Sequence, residues 1–260
     1  MTDAYITPET HALLGLPLTV WVLAALVAIF AGVSKGGFGS GAAFAGSSVL
    51  ALVLPPGQAL GIMLPLLMLI DLATLRPYWR QWSWPDVQLL VAGGLPGVGL
   101  GAALYRVADA DALRLLIGAI CLAFVAWQMW GRMRAARRRM PAWGGVIAGL
   151  VAGFTSFVSH AGGPPAAIYL LSRGLSKIEY QATTVLLFWM VNIAKAVPYG
   201  FLGIFTAQTL LIDVVLAPFA VLGAWLGVVA HRAVPERAFF ALTYLLLTAT
   251  GTKLIWDALA

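Results

Sequence analysis

Two lysines lie inside long apolar stretches of this chain and mark where chemistry is expected. Lys35 belongs to "AGVSKGGFGSG", a glycine-rich interruption between apolar runs, and Lys195 lies within the apolar segment 178–199. A charge at the centre of a bilayer costs about 2.5–3.5 kcal/mol on insertion scales, so it is rarely retained without a use. Both lysines are therefore candidates for binding an anion, although each could also extend to the nearer membrane surface.

The backbone around Lys35 could also bind an anion. Glycine lets a ligand approach the main chain, and the start of a helix presents unpaired N–H groups. A second interruption, "SHAGGPP", follows the segment 143–158. In inverted-repeat transporters two such interruptions meet near the membrane midplane and form the substrate site. The predicted substrate-binding residues are Ser34, Lys35, Gly36, Gly37, Gly39 and Ser40, then Ser159, His160, Gly162 and Gly163, and finally Asn192 and Lys195.

Two titratable residues in these segments could move a proton or stabilise a charge. Asp71 could pair with a lysine or carry a coupling proton. His160 could carry a proton near neutral pH, or form a structural hydrogen bond at a helix interruption. The sequence contains no His/Cys/Glu cluster with metal-ligand spacing and no phosphate-binding P-loop motif. No metal, cofactor or ATP-driven step is therefore predicted.

The composition indicates the membrane as the environment of these residues. The chain has 260 residues, of which 61% are hydrophobic and 10% charged, with a mean hydropathy of +0.92. Apolar runs long enough to cross a bilayer as helices recur along it. The fold class predicted is therefore an all-α polytopic membrane protein, with the lipid bilayer as a partner. The arginine-rich run 132–139 follows one apolar segment, which indicates a cytoplasmic loop rather than a nucleic-acid site.

The apolar segments fall into two similar sets. The arginine-rich run divides ten apolar pieces into five and five, and a shift of 121 residues takes Asp71 to Asn192 and Gly41 to Gly162. An internal duplication explains both observations. The predicted organisation is an N-terminal extracytoplasmic tail (1–17), a first transmembrane repeat (18–131), a basic cytoplasmic linker (132–141) and a second transmembrane repeat (142–260).

Piece lengths and charges predict how the repeats lie in the membrane. The piece 164–172 would span only about 14 Å as a helix, too little to cross a core of about 30 Å. It therefore suits a re-entrant hairpin with 143–158, and 18–33 with 41–54 would form its counterpart. This arrangement places eleven basic residues on the cytoplasmic side and three on the far side, whereas single crossings give eight against six. The hairpins make the repeats inverted and put both termini outside. If each interrupted segment instead crossed the membrane twice, every loop would lie on the same side as in the hairpin arrangement. The charges therefore leave the number of membrane segments open between 8 and 10.

The two interruptions resemble those of a known family. The stretches "AGVSKGGFGSG" and "AGFTSFVSHAGGPPAAIYLL", the arginine-rich loop and the duplication are similar to the TauE/SafE sulfite exporters, also called the toluene sulfonate uptake permeases. The resemblance covers residues 18–258. It implies transport of sulfite, sulfoacetate, other organosulfonates or carboxylates across the bacterial cytoplasmic membrane.

Together these observations predict a secondary transporter of small sulfur-containing anions that works by alternating access at a midplane site. Export is the expected direction. An anion channel is the first alternative, and a membrane-embedded enzyme is the second. Proton coupling through Asp71 or His160 stays open. A homodimer also stays open, because the small-residue faces could pack within one chain or between two.

Overall fold

The protein is a bundle of helices whose order repeats. The computed structural model describes residues 15–38, 42–131, 139–230 and 236–260. Within these residues, α1 (Leu18–Val33) continues into a π-helical turn, the π segment (Ser34–Phe38), and the other helices are α2 (Phe44–Leu50), α3 (Pro56–Leu75), α4 (Trp84–Val107), α5 (Ala110–Gly131), α6 (Ala142–Ser159), α7 (Gly163–Ser172), α8 (Lys177–Phe201), α9 (Ala207–Ala230) and α10 (Glu236–Leu259).

The lengths of these helices confirm a polytopic membrane fold. Among the described residues, eight helices are long and apolar enough to cross a membrane, counting α1 together with the π segment. The other two, α2 with 7 residues and α7 with 10, are too short to do so. The predicted all-α polytopic fold is therefore confirmed. That the two repeats are inverted relative to the membrane stays a prediction.

Local sequence determines where several helices begin. Pro141 directly precedes α6, and α3 and α7 carry proline in their first turns, where a missing N–H costs nothing. The helix α8 starts with a capping box in which the Glu179 N–H donates to Ser176 Oγ over 3.2 Å and the Ser176 N–H donates to Glu179 Oε2 over 3.0 Å. This cap fixes the start of the helix that carries Asn192 and Lys195.

Helices of one half of the chain pack against helices of the other half. In each half, a long helix is followed by a short one and then by three long ones. The first helix of each half packs against the fourth helix of the other, so that α1 contacts α9 and α6 contacts α4. The fifth helices, α5 and α10, pack against each other. This reciprocal arrangement is what an internal duplication predicts.

Glycine allows these helix pairs to approach closely. A Cβ added at Gly97 of α4 would lie 2.8 Å from the backbone nitrogen of Phe154 on α6. A Cβ added at Gly223 of α9 would lie 2.8 Å from the Cα of Ile29 on α1. Both distances are shorter than real Cβ atoms tolerate, so a side chain at either glycine would separate the helices. The predicted small-residue faces are therefore helix–helix contacts within one chain.

The helices α6 and α7 form a hairpin whose two ends meet. The backbone N–H of Met140 donates to Ser172 Oγ over 3.2 Å, and Arg173 Nη1 donates to the Met140 carbonyl over 3.3 Å. Arg173 also forms an ion pair with Asp86, whose other carboxylate oxygen accepts from Ser83. The hairpin is thus fastened to the start of α4, and whether it is re-entrant in the membrane stays a prediction.

The first interruption begins inside a helix, and its residues 39–41 lie outside the described part of the chain. Lys35 does not lie in a loop, because α1 runs directly into the π segment that carries it. The physical reason is the closeness of α9. A Cβ at Gly36 would collide with the Ala224 carbonyl, and a Cβ at Gly37 with the Gly227 carbonyl. Glycine at these positions lets α9 pack alongside the π segment.

Candidate functional site

The centre of the bundle contains a buried ion pair. Lys35 of the π segment pairs with Asp71 of α3, and their side chains are 3% and 0% exposed. The Asn192 amide of α8 donates to the second carboxylate oxygen of Asp71 over 2.7 Å. Asp71 and Asn192 occupy matched positions of the two halves, so this contact lies where the halves meet. Both oxygens of the carboxylate are occupied, by Lys35 and by Asn192.

A second buried lysine lies beside this pair. Lys195 Nζ on α8 lies 3.0 Å from the Ser156 carbonyl oxygen and 2.9 Å from Nδ1 of His160. The other ring nitrogen of His160, Nε2, lies 3.3 Å from the Leu60 carbonyl oxygen. A carbonyl can only accept, so Nε2 carries the hydrogen. If the ring is neutral, Nδ1 is then the acceptor for a hydrogen of Lys195.

His160 owes its position to the turn between α6 and α7. It ends α6 with φ 57, in the left-handed region, and its N–H donates to the Ser156 carbonyl. This conformation is uncommon outside glycine but several-fold enriched for histidine. The turn directs the ring towards α3 and α8. The central cluster, defined here as Lys35, Asp71, His160, Asn192 and Lys195, thus combines side chains from both halves.

A small cavity adjoins the central cluster. Its volume is about 10 Å³, roughly that needed to hold one water molecule. An oxyanion cannot enter until side chains or helices move. Four of its lining residues were predicted from sequence, namely Lys35, His160, Gly163 and Asn192. The other four were not: Ala43, Leu67, Ser156 and Phe188.

Two larger cavities lie at opposite ends of α3. The large vestibule, about 770 Å³, adjoins the ends of α3 and α7 and the start of α8, and its lining includes Tyr78, Lys177 and Gln181. The small vestibule, about 230 Å³, adjoins the start of α3 and the turn between α8 and α9, and its lining includes Gln58 and Tyr105. The central cluster lies between them along α3.

Different barriers separate the cluster from each vestibule. On the side of the large vestibule, Gln181 Nε2 donates to the Lys35 carbonyl over 2.8 Å and joins α8 to the π segment. On the side of the small vestibule, the rings of Tyr105, Phe157 and Tyr199 contact one another, with centroid distances of 6.3 and 4.9 Å. The Tyr199 hydroxyl donates to the Phe157 carbonyl over 2.7 Å.

The structure brings only some of the predicted site residues together. Lys35, Asp71, His160, Asn192 and Lys195 form the central cluster, and Gly163 lines the adjoining cavity. Ser159 directs its hydroxyl to the Thr155 carbonyl of its own helix, while its carbonyl accepts from Ser47.

The remaining predicted residues lie elsewhere or outside the described chain. Ser34 is buried in the π segment, and a Cβ at Gly162 would meet the Phe188 ring and the Ala152 carbonyl. Gly36 and Gly37 adjoin α9. Gly39 and Ser40 lie outside the described residues. Anion contacts by the amides of these glycines stay a prediction.

Sequence reasoning missed Ser156, Phe188 and Gln181. The shift of 121 residues could have found two of them, because it takes Lys35 to Ser156 and Leu67 to Phe188. All four of these residues line the central cavity. The sequence contains no comparable indication for Gln181. Its contact is a hydrogen bond to the backbone carbonyl of Lys35, which lies 146 positions away in the chain.

Comparison with known proteins identifies the family. A family model described as sulfite exporter TauE/SafE matches residues 24–254 of the chain. The chain therefore belongs to this family, and the resemblance inferred from the two interruptions is confirmed. No curated protein and no solved structure matches the chain.

Proposed function

We propose that this member of the sulfite exporter family is a secondary transporter that carries a small sulfur-containing anion by alternating access at the central cluster. Sulfite, sulfoacetate and other organosulfonates are the substrates considered, and export from the cytoplasm is the proposed direction. The family model supports a membrane transporter of anions in general. The narrower substrate and mechanism rest on the geometry of the cluster.

The observation that carries the proposal is the surplus of basic groups at the cluster. Two lysines and a histidine face a single carboxylate, all of them buried where the two halves meet. A buried cation needs a counter-ion or several acceptors. An arriving sulfonate or sulfite would supply oxygens to Lys35, Lys195 and the second N–H of the Asn192 amide.

The two vestibules support alternating access rather than an open pore. The central cavity is too small for an anion, and the Gln181 contact lies on one side of it and the aromatic rings on the other. A carrier needs an intermediate in which both paths to the site are narrow, whereas a conducting channel needs a continuous path. The large vestibule would face the cytoplasm, because the loops at that end carry Arg76, Arg80, Arg173 and Lys177.

Binding can be tested with the purified protein in detergent. Sulfite, sulfoacetate, sulfate and short carboxylates would be screened for their effect on the apparent melting temperature, because a ligand of the native state stabilises it by about 2.7 kcal/mol at a hundredfold excess over Kd. We expect one or more sulfur-containing anions to raise the melting temperature. No shift with any of them would contradict the proposal.

Transport can be tested in proteoliposomes with the anion that binds best. The initial rate of anion flux should saturate with concentration, as expected of a carrier that must bind and release its substrate. A rate that stays proportional to concentration, together with single-channel current, would favour the channel instead. The variant Lys253→Gln is the control for the loss of a lysine outside the central cluster. Lys253 pairs with Asp257 at an exposed position, so its replacement should leave the rate of anion flux unchanged.

A further inference from the structure

We propose that Lys195 carries a proton together with the transported anion: its amine is neutral while the central cluster is empty and becomes an ammonium when the anion binds. This inference rests on the proposed function and adds the coupling ion and its carrier. The anion and the proton would be bound on one side of the membrane and released together on the other.

The other charges of the cluster already neutralise each other. Lys35 forms an ion pair with Asp71, and the remaining oxygen of that carboxylate accepts from Asn192. The direct partners of the Asp71 carboxylate are thus Lys35 and Asn192, whereas Lys195 Nζ contacts the Ser156 carbonyl and His160 instead. The empty cluster has no net charge if Lys195 and His160 are both neutral, and an uncompensated charge of +1 if Lys195 is an ammonium.

The hydrogen-bond partners of Lys195 are those of a neutral amine. Its side chain is fully buried, and its two polar contacts are the Ser156 carbonyl and Nδ1 of His160. A neutral amine has two N–H groups, one for each acceptor, whereas an ammonium has a third. The Tyr199 ring, with its centroid 6.0 Å from Nζ, offers this third N–H only a distant face.

Among the described residues, the groups that face Lys195 include no carboxylate in direct contact with it. From the π segment it faces the positive side chain of Lys35, and from α3 it faces Asp71, which is already paired. From the turn after α6 it faces the neutral ring of His160, and on its own helix the hydroxyl of Tyr199 is engaged by the Phe157 carbonyl. A positive charge on Lys195 therefore becomes favourable only when an anion arrives.

The proton balance of the cycle follows from this arrangement. Water in the open vestibule gives a proton to the lone pair of Lys195, and the resulting ammonium binds an oxygen of the anion. Release of the anion on the other side returns the proton to water and restores the neutral amine. A monoanion then crosses with one proton and without net charge, whereas a dianion crosses with a net charge of −1.

Calorimetry of anion binding tests the proton count directly. Methanesulfonate and sulfoacetate would be titrated into the purified protein in two buffers that differ in ionisation enthalpy, between about pH 7 and 9, where both anions stay fully ionised. We expect uptake of about one proton per anion bound and a Kd that rises about tenfold per pH unit above the pKa of the group that takes up the proton. Binding without proton uptake would overturn the inference and leave the proposed transport intact. Absence of any binding would overturn both.

Two variants identify the group that takes up the proton. Lys195→Arg carries a permanent charge, so it should bind the anions without proton uptake and with a Kd independent of pH. His160→Gln should keep the uptake, because an amide can still accept from Lys195. Uptake that is lost in His160→Gln but retained in Lys195→Arg would assign the proton to the histidine and overturn the inference. If Lys195→Arg does not fold, the natural protein and His160→Gln still test the inference. Loss of proton uptake in His160→Gln would overturn it, and retained uptake would support it.

Discussion

At the scale of single residues, Lys35 has two roles that a simple substitution would confuse. The sequence predicted it as an anion-binding residue, and the structure adds that it neutralises the buried carboxylate of Asp71. Removing one partner of a buried ion pair costs about 3–5 kcal/mol, because the other charge is left uncompensated. A loss of anion binding in Lys35→Ala alone could therefore reflect a damaged fold.

A double variant separates the two roles of Lys35. Lys35→Met alone should lower the apparent melting temperature strongly, while adding Asp71→Asn should restore most of it, since no buried charge then remains unpaired. Stabilisation by the anion should be absent in both variants. Melting curves of the two proteins with and without sulfite or sulfoacetate measure this difference. If the double variant binds the anion as tightly as the natural protein does, Lys35 is not an anion-binding residue.

Residue types indicated much of the central cluster but not its pairing. Lysines, an aspartate and a histidine within apolar segments are conspicuous because their burial is costly. The sequence left open whether Asp71 pairs with a lysine, and the structure pairs it with Lys35 rather than Lys195. Contributions through backbone atoms, such as the Ser156 carbonyl, are independent of residue type, so only the internal repeat and not the residue type could have indicated this position.

At the scale of helices, glycine spacing predicted close contact but not the partner. The α4 glycines at positions 93 and 97 pack against α6 of the other half, although α5 follows α4 directly in the chain. The π segment was not predicted either, because glycine-rich sequence favours a break when read locally. Close packing against α9 explains why glycine occupies positions 36 and 37. This contact involves residues nearly two hundred positions away in the chain, so it could not be recognised locally.

Two glycines on α4 provide a matched test of this contact. A Cβ at Gly97 would collide with the backbone of α6, whereas a Cβ at Gly99 meets no atom within 4 Å. Gly97→Ala should therefore reduce the yield of folded protein and its apparent melting temperature. Gly99→Ala should leave both unchanged or raise stability by up to about 1 kcal/mol, since alanine is the better helix former. Equal behaviour of the two variants would show that α4 and α6 do not approach so closely.

At the scale of the whole molecule, the exchange of partners makes each half depend on the other. The helices α1 and α9, and α6 and α4, pair across the two halves, and Asp71 with Asn192 joins the halves at the cluster. We therefore expect a relative movement of the two halves to alter both barriers around the site. Alternating access through the two vestibules requires this coupling, provided that the vestibules open on opposite sides of the membrane.

The sides on which the vestibules open can be determined with single cysteines. The background is Cys121→Ser, which removes the chain's single and buried cysteine. Ile178→Cys would mark the large vestibule, and Ala207→Cys would mark the start of α9, which follows the opposite end of α8. Both positions are exposed. We expect a membrane-impermeant maleimide to label Ala207→Cys in intact cells and Ile178→Cys only after the membrane is opened, because basic loops remain in the cytoplasm. The background protein without an added cysteine controls for other reactions. Labelling of both positions in intact cells, or of Ile178→Cys alone, would contradict the predicted orientation and with it the assignment of the large vestibule to the cytoplasm.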